Sequence, residues 1–153
     1  MKHLLVPTDF SELAENAFEV ACSIARKSGG RVHLIHVYER PVYDIQDQTI
    51  DSRENTKIKQ HIEDELDKLE AKPFAQGIDL KIHILPDKSI TDILEHEGFQ
   101  EADLIVMGSH GASGWKELLI GSNTEKVVRT AKCPVLTLSL IHISEPTRPL
   151  YIS

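Results

Sequence analysis

The chain has 153 residues, a formal charge of −7 and a pI near 5.6. A chain of this length fits one domain that buries about 68–70% of the surface its unfolded form exposes, with no need of a second core. The acidic balance argues against nonspecific nucleic-acid binding, which depends on clustered Lys and Arg displacing counterions, so an anionic ligand would need a local site. Two cysteines, Cys22 in a helical pattern and Cys133 before Pro134, form neither a metal spacing nor a disulfide framework, and a reduced, cytoplasmic setting is expected. The apolar start ends at Pro7, too soon for a signal peptide, and no run approaches the roughly 18 apolar residues of a membrane span, so a soluble protein without a membrane partner is expected.

The first predicted element is a strand over His3 to Pro7, apolar and ended by a proline that cannot continue a central ladder. Thr8-Asp9-Phe10-Ser11 connects it to a helix in which Leu13, Ala14, Ala17, Phe18, Ala21, Ile24 and Ala25 recur at helical spacing. Glu12, Glu15 and Glu19 stand toward its start, Arg26 and Lys27 at its end, and Gly29-Gly30 stops it, so its charges match the helix dipole. Arg31 to Val37 is the next strand, and this β-α-β unit predicts parallel strands joined by a right-handed crossover. Tyr38 to Asp51 has no clean period and reads as a long loop. From Ser52, the residues Ile58, Ile62, Leu66 and Leu69 mark one face of a second helix, while Glu63, Asp64, Asp67 and Glu70 form a solvated face rather than a metal site. Pro73 and Gly77 end that helix. Ile78 to Leu85 then alternates apolar and polar residues, as a half-exposed strand toward a sheet edge does.

Pro86 to Ser89 leads into a short helix with Ile90, Ile93 and Leu94 inward and Gly98 as its stop. Leu104 to Met107 is a short buried strand. A helix is expected from about Asn123 to Ala131, and Val135 to Leu138 is a fifth strand. The pattern is α/β: a largely parallel five-stranded sheet sandwiched by four helices. Ligands of such sheets sit beyond the carboxyl ends of the strands, where the strand order reverses. With strands one and four as neighbours there, Thr8 and Asp9 face Gly108, Gly111 and Ser122 across one crevice.

Between the fourth strand and the last helix lies Gly108 to Ser122, GSHGASGWKELLIGS. Glycines directly after a strand let backbone N–H groups approach a ligand, and Ser122, Asn123 and Thr124 are N-cap candidates for the helix that follows. Strand, glycine-rich loop and helix N-terminus in succession bind phosphate through free N–H groups and the helix dipole. The stretch is neither Gly-x-x-x-x-Gly-Lys-Ser/Thr nor Gly-x-Gly-x-x-Gly, and spacing alone favours turn punctuation. Its place after the fourth strand, opposite Asp9, makes it a phosphate cradle. No catalytic residue is assigned: His110 has no orienting carboxylate nearby, no nucleophile stands with a base, and Asp9 is the one acidic residue at hand for Mg²⁺. His33, His36 and His83 lie on strands without ligand spacing, so no metal site is expected.

Pro7-Thr8-Asp9-Phe10-Ser11-Glu12 after the first strand, Leu34-Ile35-His36-Val37 at the end of the second, and Gly-x-x-Gly-x(9)-Gly-Ser formed by Gly108, Gly111, Gly121 and Ser122 together resemble the ATP-binding, UspA-like branch of the universal stress protein family. The resemblance runs over about residues 2 to 138. It implies a Rossmann-like, adenine nucleotide alpha hydrolase-like fold, a homodimer paired through the fifth strand, an unidentified protein partner, and ATP, with or without Mg²⁺, held without a Walker lysine. It sets Pro7, Asp9 and Val37 along the adenine and ribose, Met107 beside the base, and Gly108, Gly111, Gly121, Ser122 and Asn123 on the ribose and phosphates. An ionised Asp9 only accepts hydrogen bonds, which suits a ribose hydroxyl or the adenine amino group; its alternative is a turn or cap residue before the first helix. Adenine contacts are common to ATP, AMP and cyclic AMP, so another adenine nucleotide remains compatible.

The function implied is regulatory ATP binding in a stress response. Its competitors are a slow ATPase or autophosphorylating enzyme, with Ser109, Ser113 or Ser122 as acceptor, and a nucleotide-free interaction module. Residues 139–153 stand outside the domain of residues 1–138. They carry two prolines and no helical period and resemble translated adapter read-through. A strand extension over Leu140 to Ile143 is the alternative, and it would disturb the edge used for dimer pairing.

Overall fold

The periods of the sequence become elements close to those expected. The structure, a computed structural model, describes residues 2–39, 48–86, 89–95, 101–109, 122–139 and 150–152. In order these form β1 (His3–Pro7), α1 (Glu12–Ser28), β2 (Arg31–Tyr38), α2 (Gln48–Glu70), a 3₁₀ turn (Pro73–Ala75), β3 (Asp79–Pro86), α3 (Ile90–Glu95), β4 (Leu104–Gly108), α4 (Ser122–Thr130), β5 (Val135–Leu138) and β6 (Leu150–Ile152).

Helix α1 is set at both ends by local chemistry. Ser11 Oγ accepts from the Ala14 N–H at 3.2 Å, and Gly29, at φ 74°, takes the left-handed turn that returns its N–H to the Ala25 carbonyl. Arg26 then holds the carbonyls of Phe74 and Gln76, at 3.0 and 2.9 Å, so the end of α1 fixes the turn that follows α2. Helix α2 begins at Gln48, inside the stretch expected to be a loop. Between Gln48 and Lys57 only Ile50 is apolar, so no hydrophobic period marks the first turns.

The sheet order is β3-β2-β1-β4-β5-β6. Strands β1 to β5 are parallel, as expected, and β3 is an edge strand without a fully buried residue. Residues 150–152 add a sixth strand, antiparallel to β5, with Leu136, Thr137 and Leu138 opposite Ile152, Tyr151 and Leu150. The possible extension over Leu140 to Ile143 lies outside the described residues.

Alternation along the strands builds two cores. Leu4, Val6, Val32, Leu34, Leu104, Val106, Leu136 and Leu138 meet Leu13, Ala17, Phe18 and Ala21 of α1 and Ile62, Leu66 and Leu69 of α2. On the other face, Leu5, Ile35, Ile105, Met107 and Val135 meet Val127 of α4, with Leu94 of α3 packed alongside. Phe18 is fully buried, and a side chain of that size contributes about 1.5–3 kcal/mol by leaving water. Cys22 belongs to the first core. Burial pushes its thiol up to about 11, against a smaller opposing pull from the Arg26 charge, so it packs and does not react.

Candidate functional site

Strand pairing opens a crevice where the order reverses. Strand β1 pairs with β2 as far as Pro7 opposite Ile35, and β4 pairs with β5 as far as Gly108 opposite Leu138. Between β1 and β4 the ladder stops at Leu5 opposite Ile105. Past that point each central strand stays with its outer neighbour and leaves the other, so the sheet splits at the carboxyl ends of β1 and β4. Thr8 and Asp9 follow one side of the split, and Gly108 and Ser109 end the other.

On the β1 side the chain makes a tight turn. The Thr8 N–H donates to the Ile35 carbonyl at 2.8 Å, Thr8 Oγ1 accepts from the Phe10 N–H at 3.1 Å, and Asp9 Oδ1 accepts from the Ser11 N–H at 3.0 Å. The turn-and-cap role weighed for Asp9 is thus realised through one oxygen. A carboxylate has about four acceptor directions, so this bond does not use up its capacity. Phe10 sits at φ 65°, a left-handed conformation that costs a bulky residue free energy and persists where the surroundings over-determine it. Here the surroundings come from β2. The Phe10 ring stacks on His36 with centroids 4.3 Å apart, and His36 Nδ1 lies 2.8 Å from the Thr8 carbonyl. A carbonyl only accepts, so Nδ1 carries the hydrogen. Sequence reasoning passed over Phe10 and His36 as site-shaping residues. The available signal was an aromatic residue in the loop after a strand, beside a histidine at the end of the neighbouring strand.

On the β4 side Gly108 has a reason the loop pattern did not show. A Cβ there would lie 2.8 Å from Leu13 Cγ and 3.1 Å from Leu13 Cδ2, so glycine is required for α1 to close on the end of β4. The Gly108 carbonyl accepts from Thr124 Oγ1 at 2.8 Å, which ties the first turn of α4 to the end of β4. The Ser109 N–H donates to the Leu138 carbonyl at 2.7 Å. Its side chain is buried, and among the described residues its Oγ has no hydrogen-bond partner. A buried hydroxyl left in that state costs about 1–3 kcal/mol, and an acceptor or donor from a ligand would relieve it.

The remaining expected residues divide into four groups. Met107 is buried in the second core and Val37 packs against that same core, so both are held on the face that carries α4. Pro7 closes β1 beside Ile35. Ser122 and Asn123 open α4, as expected of the residues around its N-terminus. Gly111, Gly121, His110 and Ser113 lie outside the described residues. Among the described residues no group of three His, Cys, Asp or Glu could hold a metal ion, and no helix is long and apolar enough to cross a membrane.

Known proteins share this fold. The model of the universal stress protein family matches residues 1–139. Universal stress protein MJ0577 of Methanocaldococcus jannaschii is 30% identical over 155 aligned residues, covering 90% of this chain and 94% of the relative. A solved structure of MJ0577 aligns with a TM-score of 0.71 at 26% identity, over 93% of this chain and 98% of that one. A universal stress protein solved in complex with cAMP aligns at 23% identity with a TM-score of 0.62, over 90% and 96% of the two chains. One from Archaeoglobus fulgidus, in complex with dAMP, aligns at 22% identity with a TM-score of 0.54, over 90% and 97%. Their agreement over nearly the whole length of both partners, together with the family match, establishes that this chain belongs to the universal stress protein family.

Proposed function

We propose that the chain is a regulatory nucleotide-binding protein of a stress response, acting in the cytoplasm, that holds ATP in the split between β1 and β4. The observation that carries this reading is the β1–β4 ladder, which ends at Leu5 and Ile105 while both outer ladders run on. The split brings together groups that suit the two ends of a nucleotide. The acceptors of the Thr8–Asp9 turn suit ribose hydroxyls and the adenine amino group, and would repel phosphate. The start of α4, anchored by Thr124 to Gly108, offers the positive end of a helix dipole to phosphate. The Ser109 hydroxyl, without a partner among the described residues, is a polar group that a bound ligand would satisfy. Relatives solved with cAMP and with dAMP agree with an adenine nucleotide in this fold. Mg²⁺ would arrive with the phosphates, since Asp9 is the one carboxylate of the turn. Regulation would pass through a homodimer paired along β5 once β6 has left that edge, with nucleotide occupancy selecting a protein partner.

Equilibrium dialysis of the purified chain against ATP, AMP and cyclic AMP tests the proposal. Saturable ATP binding near the micromolar range, about −8 kcal/mol, is expected. Ser109→Ala should weaken it several-fold without lowering the thermal midpoint, because the substitution removes a buried group that has no partner among the described residues. Absence of saturable binding of any of the three up to millimolar concentration would leave the chain a nucleotide-free module. Release or transfer of the γ-phosphate from labelled ATP with Mg²⁺, at a rate above that of a Ser122→Ala control, would make it an enzyme instead.

A further inference from the structure

Three imidazoles touch in a diagonal row across β1, β2 and β3, from His3 at the start of β1, past His33 opposite Leu5, to His83 opposite Ile35. His3 Nδ1 lies 3.1 Å from His33 Nε2, and His33 Nδ1 lies 3.0 Å from His83 Nε2. The ring centroids are 5.3 Å apart at both steps. The middle ring is 7% exposed. Strand alternation puts the row on the face of Leu5, Ile35 and Leu85.

Proton counting limits what such a row can hold. Each of the two nitrogen pairs accommodates one hydrogen, because two would set N–H against N–H. The outer nitrogens, His3 Nε2 and His83 Nδ1, accommodate one each. Three neutral rings carry three hydrogens, so a fourth enters without breaking either bond. A fifth must share an occupied gap. The charged groups around the row oppose further protonation on balance. Among the described residues, Arg31 and Lys81 stand beside His33, Lys81 stands beside His83, and Asp103 lies at the His3 end. Asp103 accepts from the Lys2 and His3 N–H groups, and Arg31 is paired with Asp79 at 2.9 Å across β2 and β3.

We propose that His3, His33 and His83 form an acid-sensitive latch across β1, β2 and β3, which takes up one proton with its hydrogen bonds intact and comes apart at the second, loosening the β3 edge of the sheet. Burial first, then the charges of His83, His3, Arg31 and Lys81, lower the His33 pKa from 6.5 to about 4. His83 is lowered for the same reasons, burial first and then Lys81. A folded-state pKa below the unfolded value means that the unfolded chain binds more protons between the two. Stability is therefore full above about 6.5, falls as pH drops, and levels off below about 4. Through His33 alone the folding constant falls across that window by up to about two to three decades.

Urea unfolding of the full chain at a series of pH values between 7.5 and 4, roughly the span of free and depressed histidines, reads this directly. Against wild type, His33→Gln should lose close to one proton from the pH slope in that window. An unchanged slope would overturn the latch. Ring-nitrogen NMR on the wild-type chain makes the test independent of the variant's folding. Signals of all three rings should move together with the first proton, and the β3 amides should lose exchange protection with the second. Three independent titrations near 6.5, the value of a free imidazole, would refute the proposal.

Discussion

Gly108 shows how a residue can be rightly placed and wrongly explained. Its position after an apolar run marked it as a loop glycine near a ligand, and it does stand at the split. Its immediate constraint, however, is Leu13 of α1, which occupies the space of the missing side chain. Gly108→Ala should destabilise the fold by about 1–3 kcal/mol, since the nearest atom is the branched Cγ of a buried leucine rather than a flexible tip. Adding Leu13→Ala should recover part of that loss, with a coupling of about 0.5–3 kcal/mol in a urea-unfolding double-mutant cycle. Strictly additive effects would mean that the two residues do not constrain one another. No sequence pattern shows this contact, because it depends on where α1 returns over the sheet. The same holds for the stack of Phe10 on His36 and for the histidine row, both of which need the strand register.

At the scale of the element, legibility follows burial. Strands β1, β4 and β5 and helix α1 bury continuous runs or a clear stripe, and their limits fall within a residue or two of those expected. The start of α2 has no such stripe and was missed. Helix α4 was legible as a helix, but its role as an anchored N-terminus depends on Thr124 reaching the Gly108 carbonyl. Thr124→Val keeps the shape and removes the donor. It should cost about 1 kcal/mol in stability and weaken nucleotide binding, while Thr124→Ser, which keeps the hydroxyl, should restore most of the binding. Equal affinity for the two variants in a dialysis assay would show that the anchor does not orient the site.

For the whole molecule, the α/β class, the parallel order and the neighbours at the reversal were all legible, because alternating strands and helices with short connections leave few topologies. The β5 edge was not. The three residues of β6 cover it in an antiparallel pairing short enough to be marginal in isolation. Truncation after Ser139 should bare that edge, and the truncated chain should sediment as a dimer at tens of micromolar, roughly the range in which modest interfaces form. A truncated chain that stays monomeric there would refute pairing through β5. The split between β1 and β4 has a mechanical consequence as well. The parallel sheet resembles two boards whose shared spine is two residue pairs long, strapped on one side by α1, which touches β1, β2, β4 and β5. Its softest deformation is an opening of that spine, and a molecule gripping both boards would stiffen the whole sheet far from where it touches.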